Sequence, residues 1–497
     1  MSGPKRVVVV GGGMAGVSAA LAARRRGADV LLIEKCTCVG GTAAAGLVSP
    51  FMGITGGGQA VVRGNLYRIL SRIRELFPDS IDAFPDDLSV GAISFDPEAM
   101  KHTLDVMLTE SGIAVLLDTV VSGVEREGKR IRAITVFNKS GFRQIEGDCF
   151  LDASGDADLF FRAGLPCRKG RESDGRVQAS TLRFIAGGLD DAPAVGRALD
   201  SLDRDPGFLR LLADYGRRAG VEPADMHFQN FPVPGRPDSL LFNVPRVLIG
   251  DPVDGDDLSA AYFTGRRLIR AYLALLRERI PGASRAVVTN TAEAMGIRES
   301  RRIAGAYVLT AEDVVSGRVF EDSVAAGAWM IDIHNPAGKG VLGHTVAFGE
   351  KEPRFASLCP AGGFFGIPYR CLYSKECDNL WAAGRCVSAS HEALAAVRIM
   401  PTCVALGEAA GIAAALSAAR GVPADGLPAG DLADRIMEDG GLIPGRNLRK
   451  RIRSISTPKM GSFTASQTLG TRSNAAITPS SSPLLSRKRE KKVETST

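Results

Sequence analysis

Three glycines near the start of the chain have the spacing of a phosphate-binding turn. Gly11, Gly13 and Gly16 follow a run of valines in the order G-x-G-x-x-G. The first glycine permits a tight turn, the second lets the backbone approach a phosphate, and the third lets a helix pack closely on a strand. Glu34 ends a second apolar run, where a carboxylate can accept hydrogen bonds from a ribose. Together these residues predict a dinucleotide-binding site.

The apolar runs around the glycines predict the elements that hold them. The pattern indicates a strand over 7–10, an alanine-rich helix over 17–26 and a second strand over 30–33. The N–H groups of Met14, Ala15 and Gly16 and the positive end of the helix dipole would meet the pyrophosphate. Lys35, next to Glu34, joins the predicted cofactor contacts.

FAD and NAD share this fingerprint, and two observations favour FAD. Gly41 and Thr42 belong to a second glycine turn that could approach the same ligand. No second fingerprint follows, since the glycines at 56–58 lack a helix and an acid and those at 362–363 precede two phenylalanines. We therefore expect one FAD site and no separate pyridine-nucleotide domain.

Composition narrows the class of protein. A chain of 497 residues with 45% apolar residues suits two globular domains. Its nine cysteines are scattered without a C-x-x-C pair, so we expect no metal site, no 4Fe–4S cluster and a reducing, cytoplasmic location. No signal peptide is predicted at the N-terminus. The most apolar run, 404–418, is interrupted by Glu408, and we expect no membrane span.

The net charge of +6 comes from the last part of the chain. Residues 446–497 hold twelve Lys and Arg against Glu490 and Glu494 and carry +10, which leaves −4 for residues 1–445. Few large apolar residues occur there, so residues 443–497 are predicted to be a disordered basic tail. Such a tail could touch a membrane or nucleic acid. Because no aromatics interleave with the charges, we favour a solubilising role and expect no nucleic-acid partner.

Four further elements can be placed from the sequence. Asp96 before Pro97 predicts the start of a helix that runs to about 111. A short strand over 149–151 ends in a polar turn that contains Ser154, Gly155 and Asp156. Two more helices are expected over 264–279 and from about Thr402 to 418.

An ordered set of motifs resembles a known group, the FAD-dependent oxidoreductases of the glutathione-reductase and fumarate-reductase superfamily. Within it, the chain is similar to the branch that includes relatives of the heterodisulfide reductase flavoprotein. Besides the fingerprint, the matching segments are 95–98, 151–158, 296–302, 331–336, 367–370, 379–386, 398–403 and 407–411. They extend over residues 5 to about 420.

The resemblance implies a set of FAD contacts. These are the turn of Ser154, Gly155 and Asp156, the turn of Gly384 and Arg385, the strand around Val121 for the adenine, and the segment with Arg398, Pro401, Thr402 and Cys403. The N–H groups at the start of the last helix would point at flavin N1 and O2. Arg385 replaces the aspartate usual in the superfamily. Residues 35–60 contain no histidine, where covalently flavinylated relatives carry one, so we expect noncovalent FAD.

Few residues could serve the proton transfer that accompanies flavin chemistry. The chain has five histidines, of which His334 and His391 stand in polar clusters within the matching part of the chain. A lone histidine is more often structural, and both interpretations stay open. Arg298 could clamp a substrate carboxylate or the flavin edge, or it could form a structural ion pair with Glu299 or Asp332. His334, His391 and Arg298 are the catalytic candidates.

The predicted fold class is α/β, with a Rossmann-like FAD-binding domain of glutathione-reductase type and an inserted α+β substrate domain. The FAD-binding domain is assigned residues 1–50, 92–165 and 366–442, and the substrate domain 51–91 and 166–365. We expect hydride transfer between a small organic substrate and FAD. The main alternative is a flavin electron-transfer subunit that needs a partner protein, and a flavin-dependent RNA-modifying protein is a weaker one.

Overall fold

The computed structural model describes residues 4–84, 92–203, 205–222, 228–336, 341–342 and 358–449. The helices in these ranges are α1 Met14–Arg25, α2 Asn65–Leu76, α3 Pro97–Glu110, α4 Asp158–Arg162, α5 Ala192–Leu202, α6 Pro206–Arg218, α7 Gly255–Arg279, α8 Ala311–Val315, α9 His391–Val397, α10 Met400–Arg420 and α11 Ala429–Glu438.

The strands in the same ranges are β1 Arg6–Val10, β2 Asp29–Ile33, β3 Phe51–Met52, β4 Thr55–Gly56, β5 Gln59–Ala60, β6 Ala92–Ile93, β7 Ala114–Leu116, β8 Val120–Glu127, β9 Arg130–Asn138, β10 Gly141–Glu146, β11 Cys149–Asp152, β12 Cys167–Lys169, β13 Ser180–Thr181, β14 Phe184–Gly187, β15 Asn230–Pro232, β16 Leu240–Phe242, β17 Arg246–Val247, β18 Val287–Thr291, β19 Arg301–Ile303, β20 Ser323–Gly327, β21 Ile333–His334, β22 Val341–Leu342, β23 Phe365–Pro368 and β24 Leu380–Ala382.

A five-stranded parallel sheet forms the centre, in the order β24-β11-β1-β2-β7. Its middle strand β1 is covered on both faces, and Val7, Val8 and Val9 are fully buried. Continuous runs of β-branched residues are typical of such doubly covered strands. The structure confirms the predicted α/β class with a parallel sheet, in which the first two predicted strands pair side by side.

Helices α1 and α10 cross in close contact beside this sheet. A Cβ at Gly407 would lie 2.0 Å from the carbonyl oxygen of Ala15, and one at Gly411 would lie 2.2 Å from that of Ala19. The helices therefore run in the same direction with backbones touching. Since Gly407 is the eighth residue of α10, this helix extends about 10 Å beyond the start of α1.

Helices α10 and α7 start two and nine residues earlier than predicted. Helix α10 starts at Met400 rather than near Thr402, because Pro401 is tolerated in a first turn, where its missing N–H costs no hydrogen bond. Helix α7 starts at Gly255 rather than 264, because the Asp254 side chain accepts from the first N–H groups and caps the helix earlier.

Helix α10 is long and apolar enough to cross a membrane, but 83% of its most apolar window is buried inside the protein. A helix that is apolar on all sides is expected in the core of a large protein. Here α10 packs against α1 and the central sheet.

A second hydrophobic core lies between residues 182 and 297, joined by Leu47. It contains the antiparallel sheet β15-β16-β14-β18, covered by the long helix α7. Phe51 and Val324 pack in the first core, with the central sheet. The proposed division of the chain into domains stays a prediction.

The first residues of the predicted tail are part of the packed structure. Ile443 and Leu448 are buried, and the carbonyl of Arg449 accepts a hydrogen bond from Gln59 at 2.9 Å. The predicted disorder of the remainder falls on residues 450–497, which lie outside the described residues.

Candidate cofactor and substrate site

The three fingerprint glycines differ in what requires them. Gly11 has φ +99°, and a Cβ on Gly16 would lie 1.7 Å from the carbonyl oxygen of Gly11, so the fold itself excludes side chains at both. Gly13 has an ordinary φ of −65°, and a Cβ there would meet only the Cα of Gly41, at 3.9 Å. The bare face of Gly13 is therefore open, as close approach of a pyrophosphate requires.

The second glycine turn lies directly beside the first. The N–H of Gly40 donates to the carbonyl of Gly12 at 2.7 Å. Gly41 has φ +51°, and a Cβ on it would come within 2.8 Å of the Cα of Gly13. Thr42 follows in the same short 3₁₀ turn. The structure thus brings Gly41 and Thr42 to the fingerprint, as the sequence predicts.

Two helix N-termini at this side of the sheet have no side-chain cap. Neither α1 nor α10 has a capping side-chain hydrogen bond or an acidic residue in its first turn. The first N–H groups of each helix, including those of Met14 and Ala15, can therefore bind an acceptor from a ligand. Cys403 in α10 has its sulfur 3.7 Å from the carbonyl of Val397, and burial raises the pKa of its thiol to about 12.

Glu34 is held in place for hydrogen bonding. Its side chain is buried and accepts from the N–H of Gly12 at 2.5 Å and from that of Cys36 at 2.8 Å. Each carboxylate oxygen keeps a further lone pair for a ribose hydroxyl. The Glu34 carbonyl accepts from the N–H of Thr119 at 3.0 Å, which places the predicted adenine strand with Val121 next to it.

A buried ion pair joins two turns that are far apart in sequence. Asp156 lies 2.7 Å from the Arg385 guanidinium and 3.3 Å from Lys35 Nζ, and it accepts from Ser300 at 2.7 Å. Burial acts to raise the pKa of Asp156, but Arg385 and Lys35 hold it well below its usual range. A Cβ on Gly384 would lie 2.9 Å from the Ala15 side chain. These turns therefore meet at the start of α1.

The side chain of Ser154 shapes its own turn. Its hydroxyl donates to Asp152 at 2.6 Å and accepts from the N–H of Asp158 at 3.1 Å. Gly155 has φ +80°, and a Cβ on it would lie 2.9 Å from Arg385 Nη2. Ser154 and Gly155 therefore hold the Asp156 turn in position.

His334 and Arg398 face the carboxylate of Asp332, and the charge of Arg298 also acts on it. His334 Nε2 and Arg398 Nη2 each lie 3.6 Å from Asp332 Oδ2, and Arg398 also donates to its carbonyl at 2.9 Å. Burial and the charge of Arg298 lower the pKa of His334 well below its usual value, against Asp332, which raises it. His334 is therefore neutral at neutral pH.

His391 belongs to a different group. Its Nδ1 lies 2.8 Å from Glu299, which also pairs with Arg302 and accepts from the N–H of Gln178 at 3.2 Å. Burial acts to raise the pKa of Glu299, but His391 and Arg302 lower it. Arg298 donates to the Ala179 carbonyl at 2.7 Å, and among the described residues it makes no direct ion pair with Glu299 or Asp332.

Trp329 was missed by the sequence analysis. The Cβ position of Gly53 lies 3.5 Å from Trp329 and 3.7 Å from Ile399, the residue before α10. Trp329 Nε1 and Arg398 Nε are buried, and within the described ranges neither has a hydrogen-bond partner. The only sequence signal was its rarity, since the chain has two tryptophans.

These features fit an elongated dinucleotide. The α1 terminus with the open face of Gly13 suits a pyrophosphate, Glu34 suits a ribose, and the orphaned donors of Trp329 and Arg398 at the start of α10 suit the acceptor atoms of a flavin. In the part of the chain that the structure describes, no group of three or more His, Cys, Asp or Glu side chains could hold a metal ion.

Similar solved structures include p-nitrophenol 4-monooxygenase PnpA from Pseudomonas putida DLL-E4, at 13% identity and a TM-score of 0.36 over 62% of this chain and 70% of that one. The halogenase CmlS is 14% identical, with a TM-score of 0.41 over 88% of this chain and 61% of that one. A geranylgeranyl bacteriochlorophyll reductase-like protein from Thermoplasma acidophilum is 12% identical, with a TM-score of 0.38 over 88% of this chain and 82% of that one. All three similarities are too weak to bear on this chain's activity.

No curated protein sequence matches the chain. The model of one protein family, described as FAD dependent oxidoreductase, matches residues 6–436. This match includes both glycine turns, the Asp156 and Arg385 turns, the Asp332 group and the start of α10. The chain therefore belongs to the FAD-dependent oxidoreductase family, and the protein is an oxidoreductase whose cofactor is FAD.

Proposed function

We propose that the enzyme transfers a hydride between a small organic substrate and noncovalently bound FAD, in a domain of glutathione-reductase type. The observation that carries this proposal is the group of His334, Asp332 and Arg298, which adjoins the uncapped start of α10 through Arg398. A proton-accepting group and fixed positive charges beside a flavin suit dehydrogenation of an organic molecule.

The chain offers separate contacts to each part of the cofactor. The turns of Gly13 and Gly41 and the start of α1 would hold the pyrophosphate, and Glu34 would hold a ribose. The start of α10, with Thr402, and the side chain of Arg398 would face the flavin edge around N1 and O2. When bound, FAD supplies the two-electron acceptor or donor of the hydride.

His334 is assigned the proton transfer. It is neutral at neutral pH, its Nδ1 has no partner among the described residues, and its Nε2 faces Asp332. Asp332 would orient the ring and stabilise the protonated form. Arg298 is fixed by the Ala179 carbonyl and by Thr181 Oγ1, at 2.7 and 2.8 Å, so it would position the substrate rather than move protons.

The alternative is an electron-transfer protein like those of the heterodisulfide reductase branch, although the lack of a cluster motif in the sequence argues against it. There the flavin would exchange electrons with a partner protein, and no small substrate would bind. A cytoplasmic location suits both proposals.

Anaerobic reduction of the purified holoenzyme separates the two. The flavin spectrum is recorded, flavin release by acid precipitation tests noncovalent binding, and a panel of small organic substrates is screened for bleaching of the flavin absorbance. Bleaching by a small substrate that slows in His334→Gln supports the proposal. Bleaching only by a reduced partner protein would support the alternative, and a protein that neither contains nor binds FAD would overturn both.

A further inference from the structure

We infer that the substrate is an organic anion whose carboxylate or phosphate group is bound by the guanidinium groups of Arg183 and Arg246, beside His334. The inference rests on the proposed function, because it names the substrate class of the same site.

Arg183 is the central observation. It lies between β13 and β14 with 9% of its surface exposed. Within the described residues its side chain has neither a hydrogen bond nor an ion pair. A largely buried guanidinium without a protein partner is costly, since its donors and its charge lose most of their contact with water. A bound oxyanion would supply the missing partner.

The neighbours of Arg183 are also arginines. Arg246 and Arg298 both donate to Thr181 Oγ1, at 2.7 and 2.8 Å, so a single hydroxyl oxygen holds two guanidinium groups close together. Burial and the charges of Arg246 and Arg398 lower the pKa of Arg183 to about 9. None of these influences comes from an acidic residue.

Few acids face these arginines among the described residues. Asp332 acts on Arg298 and Arg398, no acid acts on Arg183, and Glu299 is already paired with Arg302 and His391. Like charges in a low-dielectric interior repel strongly unless an anion lies between them. The charge of Arg183, uncompensated among the described residues, therefore favours an anionic ligand.

Other buried groups here lack acceptors. Gln178 Nε2 and Ser180 Oγ are buried and unpartnered in the described part of the chain. They flank Ala179, whose carbonyl accepts from Arg298. The Gln178 side-chain oxygen accepts from the N–H of His334 at 3.1 Å, which links Gln178 to the predicted proton acceptor.

Gly296 keeps the Arg183 side chain in its place. A Cβ on Gly296 would lie 2.8 Å from Arg183 Nη1 and 3.0 Å from the carbonyl of Thr181. The φ of Gly296 does not lie in the left-handed region. A methyl group there would displace the guanidinium and would also press on the Thr181 carbonyl, and it offers a second variant that keeps Arg183 itself.

The test measures anion binding directly and needs no turnover. Oxalate, malonate, succinate and inorganic phosphate are titrated into the holoenzyme, and the visible difference spectrum of the flavin is followed. We expect saturable binding of at least one anion. Its Kd should rise about tenfold or more in Arg183→Gln, as for loss of one charge-assisted contact, and less in Arg183→Lys. Gly296→Ala should weaken binding, and Arg266→Gln, at an exposed position on α7, should leave it unchanged.

The variants must be folded for their anion binding to be interpreted. FAD content and near-ultraviolet circular dichroism report whether the variants fold, and Gly296→Ala keeps the question open to test if Arg183→Gln does not. Preference for carboxylates or for phosphate identifies the acidic group. Unchanged anion binding in folded Arg183→Gln, or a change only in the flavin reduction potential, would overturn the inference.

If an uncharged substrate bleaches the flavin equally in wild type and Arg183→Gln, the proposed function stands and this inference fails. If anions bind through Arg183 but no substrate bleaches the flavin, the anion site stands and the proposed function fails.

Discussion

The Asp156 carboxylate lies 2.7 Å from the Arg385 guanidinium, although the two residues are 229 positions apart. Both side chains are more than four-fifths buried. The pair ties the turn after β11 to the turn after β24, so the two loops at the carboxyl edge of the sheet are fixed relative to each other. In open parallel sheets, ligands bind at this edge.

Asp156→Asn should destabilise the protein by about 3 kcal/mol, because it leaves Arg385 buried and Lys35 without its carboxylate. The pKa of Asp156 is depressed in the folded state, so its contribution is present above its unfolded pKa of about 4 and is lost as the pH falls. Denaturant unfolding between pH 3 and 8 measures this. The variant should therefore differ most from wild type near neutral pH. A difference that grows toward pH 3 would contradict the assignment.

Gly13→Ala and Gly16→Ala form a matched pair. The alanine at 13 has room in the protein, so we expect nearly unchanged thermal stability of the apoprotein but at least about tenfold weaker FAD binding. The alanine at 16 collides with the Gly11 carbonyl and should cost about 3 kcal/mol or more. Flavin titration and thermal unfolding of the apoproteins give both quantities. Normal FAD affinity in Gly13→Ala would place the pyrophosphate elsewhere.

His334→Gln should lower the rate of flavin reduction by about a hundredfold while FAD stays bound. Burial and Arg298 lower the pKa of His334, so the wild-type rate should fall only when the pH is well below the usual value of about 6.5. In His334→Gln, the pH–rate profile should lack this fall in rate at acidic pH. The stability that the neutral ring contributes is likewise present above about pH 6.5 and declines below it.

His391→Gln is the comparison for that experiment. Because His391 contacts Glu299 rather than Asp332, its replacement should lower stability and leave the shape of the pH–rate profile unchanged. An altered acidic limb in His391→Gln and an intact one in His334→Gln would reverse the two assignments.

A chain that ends at Arg449 should keep FAD and activity, whereas one that ends at Leu442 should be less stable. The shorter chain loses Ile443 and Leu448, both buried, and Leu448 packs in a small apolar cluster with Val61 and Phe364. Loss of one such leucine costs about 2–5 kcal/mol. Thermal unfolding and the retained flavin absorbance compare the two. Loss of FAD in the longer chain would show that residues 450–497 contribute to the fold or the site.

Part of the cofactor side of the candidate site could be predicted from the sequence, because those contacts depend on local patterns. A glycine spacing, an acid at a strand end and a helix start can all be recognised within a few residues. In the structure Gly41 lies beside the backbone of Gly13, and Gly384 lies beside the side chain of Ala15. A side chain on either glycine would collide with its neighbour, so both contacts restrict the residue type.

The substrate side could not be predicted in the same way. Arg183 stands in a strand-like stretch between Leu182 and Phe184, where a single basic residue usually points to solvent. Its Nη1 occupies space that a side chain at Gly296 would fill, more than a hundred residues away, and no local pattern reveals this. For the same reason, the environments of His334 and His391 were indistinguishable until the fold separated Asp332 from Glu299.

The strand order of the central sheet also determines how late in synthesis the sheet can finish folding. Strand β24, at residues 380–382, pairs with β11, which is made more than two hundred residues earlier. Until β24 and α10 emerge from the ribosome, the edge of β11 and the apolar face of α1 lack their final cover. Non-local parallel pairing is slow and leaves such surfaces open to aggregation. The nascent chain should therefore be a strong client of chaperones that shield exposed strands.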